Sequence, residues 1–239
     1  MNNIYLKEIS LESRGSNSYA YWKKLPFYKT LTAGQNIIFQ APVTFFVGEN
    51  GSGKSTLIEA IAVSLGYNAE GGSKNFNFST RNTTSDLFAE LRIKKAAHEK
   101  DGYFLRAESF YNVASNIEEL GINVAGYGGK SLHNQSHGES FLALVQNRLR
   151  GQGLYIFDEP EAALSPMRQL AMMIEISNLV KLNSQFIIAT HSPILLSFPL
   201  AKIYNLDDGI NEIKYEESAP YRLTKDFLNN PKAYLSKLL

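Results

Sequence analysis

The sequence predicts an α/β domain built on a mostly parallel core sheet. Three observations predict it. The run Gly48-Glu-Asn-Gly-Ser-Gly-Lys-Ser-Thr56 follows a short apolar, β-rich stretch, Val43–Val47, and precedes Leu57–Leu65, where apolar residues recur at helical spacing. Short apolar runs at Leu154–Phe157 and Gln185–Ala189 suit strands buried on both faces. A long helical stretch, Pro166–Leu182, with proline in its first turn, lies between those two runs. Strand, helix and strand in alternation give a parallel sheet with helices on its faces.

Each element follows from local pattern. Ile4–Glu12 alternates as a strand, Asn36–Gln40 reads as another, and Pro42 separates it from Val43–Val47. The helix after the glycine-rich loop ends near Gly66, and Tyr67–Ser85 is a long stretch rich in Gly, Asn, Ser and Thr that includes Arg81. Asp86–Lys95 and Tyr103–Glu108 read as two strands joined at Lys100-Asp-Gly102, a hairpin signal and so an antiparallel β subdomain. Tyr111–Gly121 reads as a short helix, Gly126–Lys130 as a glycine-rich connection, and Ser140–Arg150 as an amphipathic helix. Lys202–Leu206 and Ile210–Tyr215 read as strands, followed by two short helices divided by Pro231. The expected organisation is one domain over residues 1–239, with a helical region at about 110–150 and C-terminal strands and helices at 200–239.

Composition bounds the function. Of 239 residues, 44 % are hydrophobic, enough for a sizeable core. Lys+Arg number 24 against 23 Asp+Glu, so net charge points to neither nucleic acid nor an anionic membrane. Lys23 and Lys24, Arg92 with Lys94 and Lys95, and Arg148 with Arg150 form only short basic groups. Cysteine is absent, which fits a reducing cytoplasm. No apolar run approaches the ~20 residues that cross a bilayer, so the expectation is a cytoplasmic chain that does not itself insert into a membrane.

The chemistry starts at the glycine-rich loop, which reads G-x-x-x-x-G-K-S, the phosphate-binding P-loop. Gly48, Gly51 and Gly53 let the backbone approach an anion, and the N–H groups of Asn50, Ser52 and their neighbours point at phosphate oxygens with the helix N-terminus behind them. Lys54 reaches terminal phosphates, the Ser55 hydroxyl can ligate Mg²⁺, and Thr56 completes the run. Leu154-Tyr-Ile-Phe-Asp158-Glu159 is a strand ending in two carboxylates, one to hold Mg²⁺ and one to polarise a water. Ser136-His-Gly-Glu-Ser140 precedes a helix, where Ser136, Gly138 and Glu139 read as an anion-binding helix start or as an ordinary N-cap. Thr190-His191-Ser-Pro193 follows the next strand, and His191 reads as a phosphate hydrogen-bond donor or as a lone histidine in a turn.

The order of these pieces resembles the ABC ATPases from about Val43 to Pro193. Glu159-Pro-Glu-Ala-Ala-Leu-Ser-Pro166 is similar to the small soluble members, akin to ATPases of chromosome maintenance, recombination repair and phage defence. The resemblance implies a P-loop nucleoside triphosphatase of ABC type that uses ATP and Mg²⁺. It makes Gly48 to Thr56 the Walker A motif, Asp158 the Walker B aspartate and Glu159 the catalytic glutamate. Ser136 to Ser140 stand for the signature motif acting in trans, Leu164 and Ser165 for the D-loop, and His191 for the switch histidine. In the family two domains pair head to tail, so the resemblance implies an ATP-dependent homodimer. His137 departs from the usual signature glycine. No glutamine lies between Leu57 and Asn134, so Glu108 takes the Q-loop position as a candidate Mg²⁺ ligand or as half of a salt bridge. Tyr19, Tyr21 and Trp22 are candidates for stacking on adenine.

The resulting expectation is a soluble, ATP-driven switch acting on an unknown protein or nucleic-acid partner, in repair or defence. A nucleotide-binding subunit of a membrane transporter is the alternative, which the missing Q-loop glutamine disfavours. A P-loop kinase or pure binding module is a third reading, against which Glu159 beside Asp158 argues.

Overall fold

The computed structural model describes residues 4–12, 19–74, 85–110 and 137–239. Its strands are β1 (Leu6–Leu11), β2 (Ile37–Ile38), β3 (Val43–Val47), β4 (Leu91–Lys95), β5 (Asp101–Arg106), β6 (Gly153–Asp158), β7 (Gln185–Ala189), β8 (Lys202–Asn205) and β9 (Asn211–Ile213). Its α-helices are α1 (Pro26–Thr32), α2 (Lys54–Ser64), α3 (His137–Arg148), α4 (Pro166–Lys181), α5 (Pro193–Leu196), α6 (Ala219–Asn229) and α7 (Pro231–Leu238). Ser136, Arg81, Tyr111–Gly121 and Gly126–Lys130 lie outside the described residues.

Two sheets form. The larger has six strands in the order β5-β6-β7-β3-β8-β9, parallel except for β9, which runs antiparallel to β8. The smaller has the order β2-β1-β4 and is antiparallel throughout. All residues of β3, β6 and β7 are buried, as expected of parallel strands covered on both faces.

The pleat sends alternate residues to two cores. Phe45, Tyr155, Phe157, Phe186 and Ile188 join Leu144, Met172 and Ile176 from α3 and α4. Phe46, Leu154, Ile156 and Ile187 join Leu57, Ile58 and Ile61 from α2, with Leu6, Ile9 and Leu91 of the smaller sheet. The central sheet therefore lies between α3–α4 on one side and α2 with the antiparallel sheet on the other.

The expected β4–β5 hairpin does not form. Asp86–Glu90 is a 3₁₀ turn capped by Ser85, whose Oγ accepts the Leu87 N–H. Leu91–Lys95 alternates between buried and more exposed positions and pairs with β1. Tyr103, Phe104 and Leu105 are all buried, so β5 has no solvated face and joins β6 in the parallel sheet. The two strands differ in sidedness, and that difference sends them to different sheets. No helix among the described residues is long and apolar enough to cross a membrane.

Candidate active site

The neighbouring strands β6, β7 and β3 carry motifs far apart in sequence. Arg106 pairs in register with Asp158, Asp158 with Ala189, and Ala189 with Phe46. These four residues form one row across the sheet. Just beyond it Glu159, His191 and Gly48 leave the same edge, the carboxyl end of the parallel strands, where open α/β sheets bind ligands.

The loop between β3 and α2 turns through Gly51 and Gly53, whose φ angles are 89° and 95°. A Cβ on Gly53 would lie 2.6 Å from the Phe27 ring, so only glycine fits. Lys54 opens α2 and is 4 % exposed. Its Nζ donates to Gly48 O at 2.8 Å and Glu49 O at 3.1 Å, folding the ammonium over the loop. Burial lowers the lysine pKa, opposed by Glu159, Asp207, Asp158 and Glu49. Ser52 Oγ is buried with no hydrogen-bond partner among the described residues. Asn50 is exposed on the loop and lines a cavity of about 390 Å³ with Gly51, Gly53, Lys54, Ser55 and Thr56.

Ser55 Oγ donates to Asp158 Oδ1 at 3.1 Å. Burial pushes the Asp158 carboxyl up to about 6, although the Arg106 charge and the Ser55 hydrogen bond pull it down. Glu159 takes a left-handed backbone, φ 49°, unusual for a non-glycine residue and a mark of functional turns. Its N–H is held by Ala189 O at 2.9 Å, and its Oε1 lies 3.6 Å from His191 Nε2. A second cavity, about 310 Å³, is lined by Ser55, Arg106, Glu108, Asp158 and Glu159 among others.

These groups fit a magnesium nucleotide. The hydroxyl of Ser55 and the carboxylate of Asp158 meet beside the folded lysine, and all the nearby donors are oxygens, as a hard cation requires. No group of three or more His, Cys, Asp or Glu that could hold a metal occurs among the described residues. Mg²⁺ commonly keeps waters and uses substrate phosphates beside one or two protein ligands.

The remaining sequence candidates are dispersed around this centre. Glu108 lines the 310 Å³ cavity, but its side chain is 87 % exposed and its Oε2 sits 3.8 Å from Arg106 Nη2. Gly138 lies in the first turn of α3; a Cβ there would come within 2.7 Å of Ala163 O. Glu139 Oε1 accepts from Arg168 Nη2 at 3.0 Å, so it contacts α4. Leu164 is buried, whereas Ser165 is exposed at the start of α4. Of the three aromatics, Tyr21 alone lines the loop cavity, its hydroxyl 3.3 Å from Thr56 Oγ1. Trp22 is core, with its indole N–H on Asp86, and Tyr19 is 90 % exposed.

Sequence reasoning assigned no site role to four residues, although Glu161 belongs to the carboxylate pattern with Glu159 that it noted. Arg106 reaches Asp158 Oδ2 through Nε at 3.5 Å and is anchored by Glu59 Oε2 at 2.9 Å. Asp207 Oδ1 accepts the Glu49 N–H at 2.6 Å and so pins the start of the loop. Glu161 and Gln169 tie the segment after Glu159 to the His191 loop. Arg106 alone had a usable signal, being a charge that directly follows the apolar run Tyr103–Leu105.

Comparison with known proteins agrees with this fold. Residues 25–131 match the family described as AAA domain. No curated protein matches the sequence significantly. CbiO1 of Clostridium perfringens, part of the ABC transporter complex CbiONQ, superposes over 100 % of both chains at 18 % identity and a TM-score of 0.55. A nucleotide-free ATP-binding cassette from an ABC transporter matches over 96 % of this chain and 97 % of its own, at 16 % identity and a TM-score of 0.53. An SMC head domain from Thermotoga maritima aligns at 17 % identity over 88 % of this chain and 100 % of its own, with a TM-score of 0.46. Over its whole length the chain has the P-loop fold of ATP-binding cassettes, and its residues 25–131 resemble an AAA domain.

Proposed function

We propose that this chain binds and hydrolyses Mg·ATP, and that ATP closes two copies head to tail as a switch on a protein or nucleic-acid partner. The observation that carries the reading is the meeting of Lys54, Ser55, Asp158, Glu159 and His191 at one sheet edge.

In this reading Lys54 leaves Gly48 O and Glu49 O for terminal phosphate oxygens, which replace two carbonyl acceptors with charged ones. The N–H groups of the loop and of the first turn of α2 hold the remaining oxygens. Ser55 and Asp158 hold Mg²⁺, with Glu108 as a further candidate. The bound cation would neutralise charge on the phosphate oxygens. Glu159 takes a proton from water as the water oxygen bonds to the γ-phosphorus, and the bond to the bridging oxygen breaks to release ADP. His191 donates a hydrogen bond to the γ-phosphate. Tyr21 stacks on the adenine.

The head-to-tail pair places Ser136, Gly138 and Glu139 of one copy against the nucleotide of the other, with Leu164 and Ser165 at the seam. Exposed Met167, Leu170 and Ile174 support a partner-facing side here. They sit at i, i+3 and i+7 on α4, immediately after Ser165. A second reading, the nucleotide-binding subunit of a transporter, is favoured by the similarity to transporter cassettes such as CbiO1.

Phosphate release from Mg·ATP tests the activity. The wild type should turn over, and Lys54→Ala should lose ATP affinity by at least ~100-fold, the size expected when a charged phosphate contact is lost. Unchanged affinity in Lys54→Ala would overturn the assignment. Copurification with an integral membrane protein would favour the transporter reading.

A further inference from the structure

Glu161 is not needed by the chemistry above, yet its surroundings are unusual. It lies in the turn after Glu159 and its side chain is largely buried. One carboxylate oxygen, Oε1, accepts the backbone N–H of His191 at 2.5 Å. The other oxygen, Oε2, is buried with no hydrogen-bond partner among the described residues. A carboxylate left half satisfied in the interior costs stability, so packing alone gives no reason for a charged residue here.

The same turn is tied a second time. The Glu161 carbonyl accepts the Leu164 N–H at 2.9 Å. The Leu164 carbonyl in turn accepts Gln169 Nε2 at 3.1 Å, and Gln169 Oε1 accepts the Ser192 hydroxyl. Glu161 from the β6–α4 connection and Gln169 from the first turn of α4 therefore grip His191 and Ser192 of the β7–α5 connection. The first grip lies next to the Glu159–His191 pair, and the second leads to Leu164 and Ser165.

We propose that Glu161 is a positioning residue: its carboxylate fixes the backbone of His191, and so sets the imidazole against Glu159. The fixed element is the peptide N–H, so a neutral acceptor of the same shape should serve nearly as well as the carboxylate. The catalytic consequence rests on the ATP-hydrolysis reading; the tether itself does not.

Two substitutions separate position from packing. Glu161→Gln keeps an acceptor oxygen for the His191 N–H, whereas Glu161→Met fills similar space with none. In ¹⁵N-labelled full-length protein the His191 amide should move upfield in Glu161→Met and stay near its wild-type position in Glu161→Gln. Steady-state ATPase should fall about tenfold in kcat for Glu161→Met, with KM for ATP within about threefold, and recover in Glu161→Gln. An unmoved His191 amide in a folded Glu161→Met would overturn the proposal, as would equal losses of kcat in both variants. A wild type that hydrolyses no ATP would sink the ATPase reading, and the amide shift would then decide the tether alone.

Discussion

Two aspartates stand at opposite ends of one strand pair. Asp101 opens β5 and Asp158 closes β6, and both strands lie in the same parallel ladder. Both carboxylates are largely withdrawn from water. Asp101 accepts from Arg148 Nη1 at 2.9 Å, the Tyr155 hydroxyl at 2.9 Å and the Arg150 N–H at 3.1 Å. These donors hold its carboxyl below the usual range in spite of burial. Asp158 has one hydroxyl donor at 3.1 Å and a guanidinium nitrogen at 3.5 Å, and burial wins. A carboxylate that holds the fold together is saturated with donors. The one proposed to take a metal keeps lone pairs available at a cost in stability.

The contrast predicts opposite responses to the same substitution. Asp101→Asn should destabilise the chain by about 2–4 kcal/mol at neutral pH, because it removes one partner of a buried pair. Its folded pKa is depressed, so the stabilisation is present above the unfolded value and lost as pH falls through the folded one. The gap between wild type and variant in denaturant titrations should therefore close in acid. ATP affinity of the folded variant should stay at the wild-type level; a strong loss would erase the division between the two ends.

Asp158→Asn should do the reverse. Its folded pKa is raised to about 6, so the favourable contribution is present below the unfolded value and lost as pH rises through about 6. In EDTA at pH 7–8 the variant should be more stable than wild type by roughly 1–3 kcal/mol, and the two should converge below about pH 4. Melting curves across that range check it. Equal stability at pH 8 would mean that Asp158 carries no excess burial cost.

The smallest effect is expected at the rim. Tyr21 is 60 % exposed and borders the loop cavity. Tyr21→Ala should weaken ATP binding by about fivefold, and Tyr21→Phe by less than twofold, if the ring stacks on adenine. Calorimetric titration of both variants distinguishes stacking from a hydroxyl contact to Thr56.

The same contrast explains what was legible in the sequence. The phosphate loop and the acidic strand end are written in consecutive residues, because backbone N–H groups and adjacent side chains make those sites. Strand alternation and the wholly apolar runs likewise announced the parallel core. β5 was misplaced because periodicity reports whether a strand has a wet face, not which strand it pairs with. Arg106, Asp207, Glu161 and Gln169 act through register and loop-to-loop contacts between segments distant in the chain. No local pattern encodes such meetings. The Asp101 cluster was invisible for the same reason, its arginine and tyrosine being 47 and 54 residues away.

The central claim, ATP-driven pairing at this edge, is tested most directly by the solution mass of Glu159→Gln with and without Mg·ATP, measured by light scattering. The substitution keeps the shape of the side chain and removes the proton acceptor, so ATP should persist in the site. The account predicts a mass that doubles only when Mg·ATP is present. A monomer in both conditions, with ATP demonstrably bound, would contradict it and hand closure to a different chain.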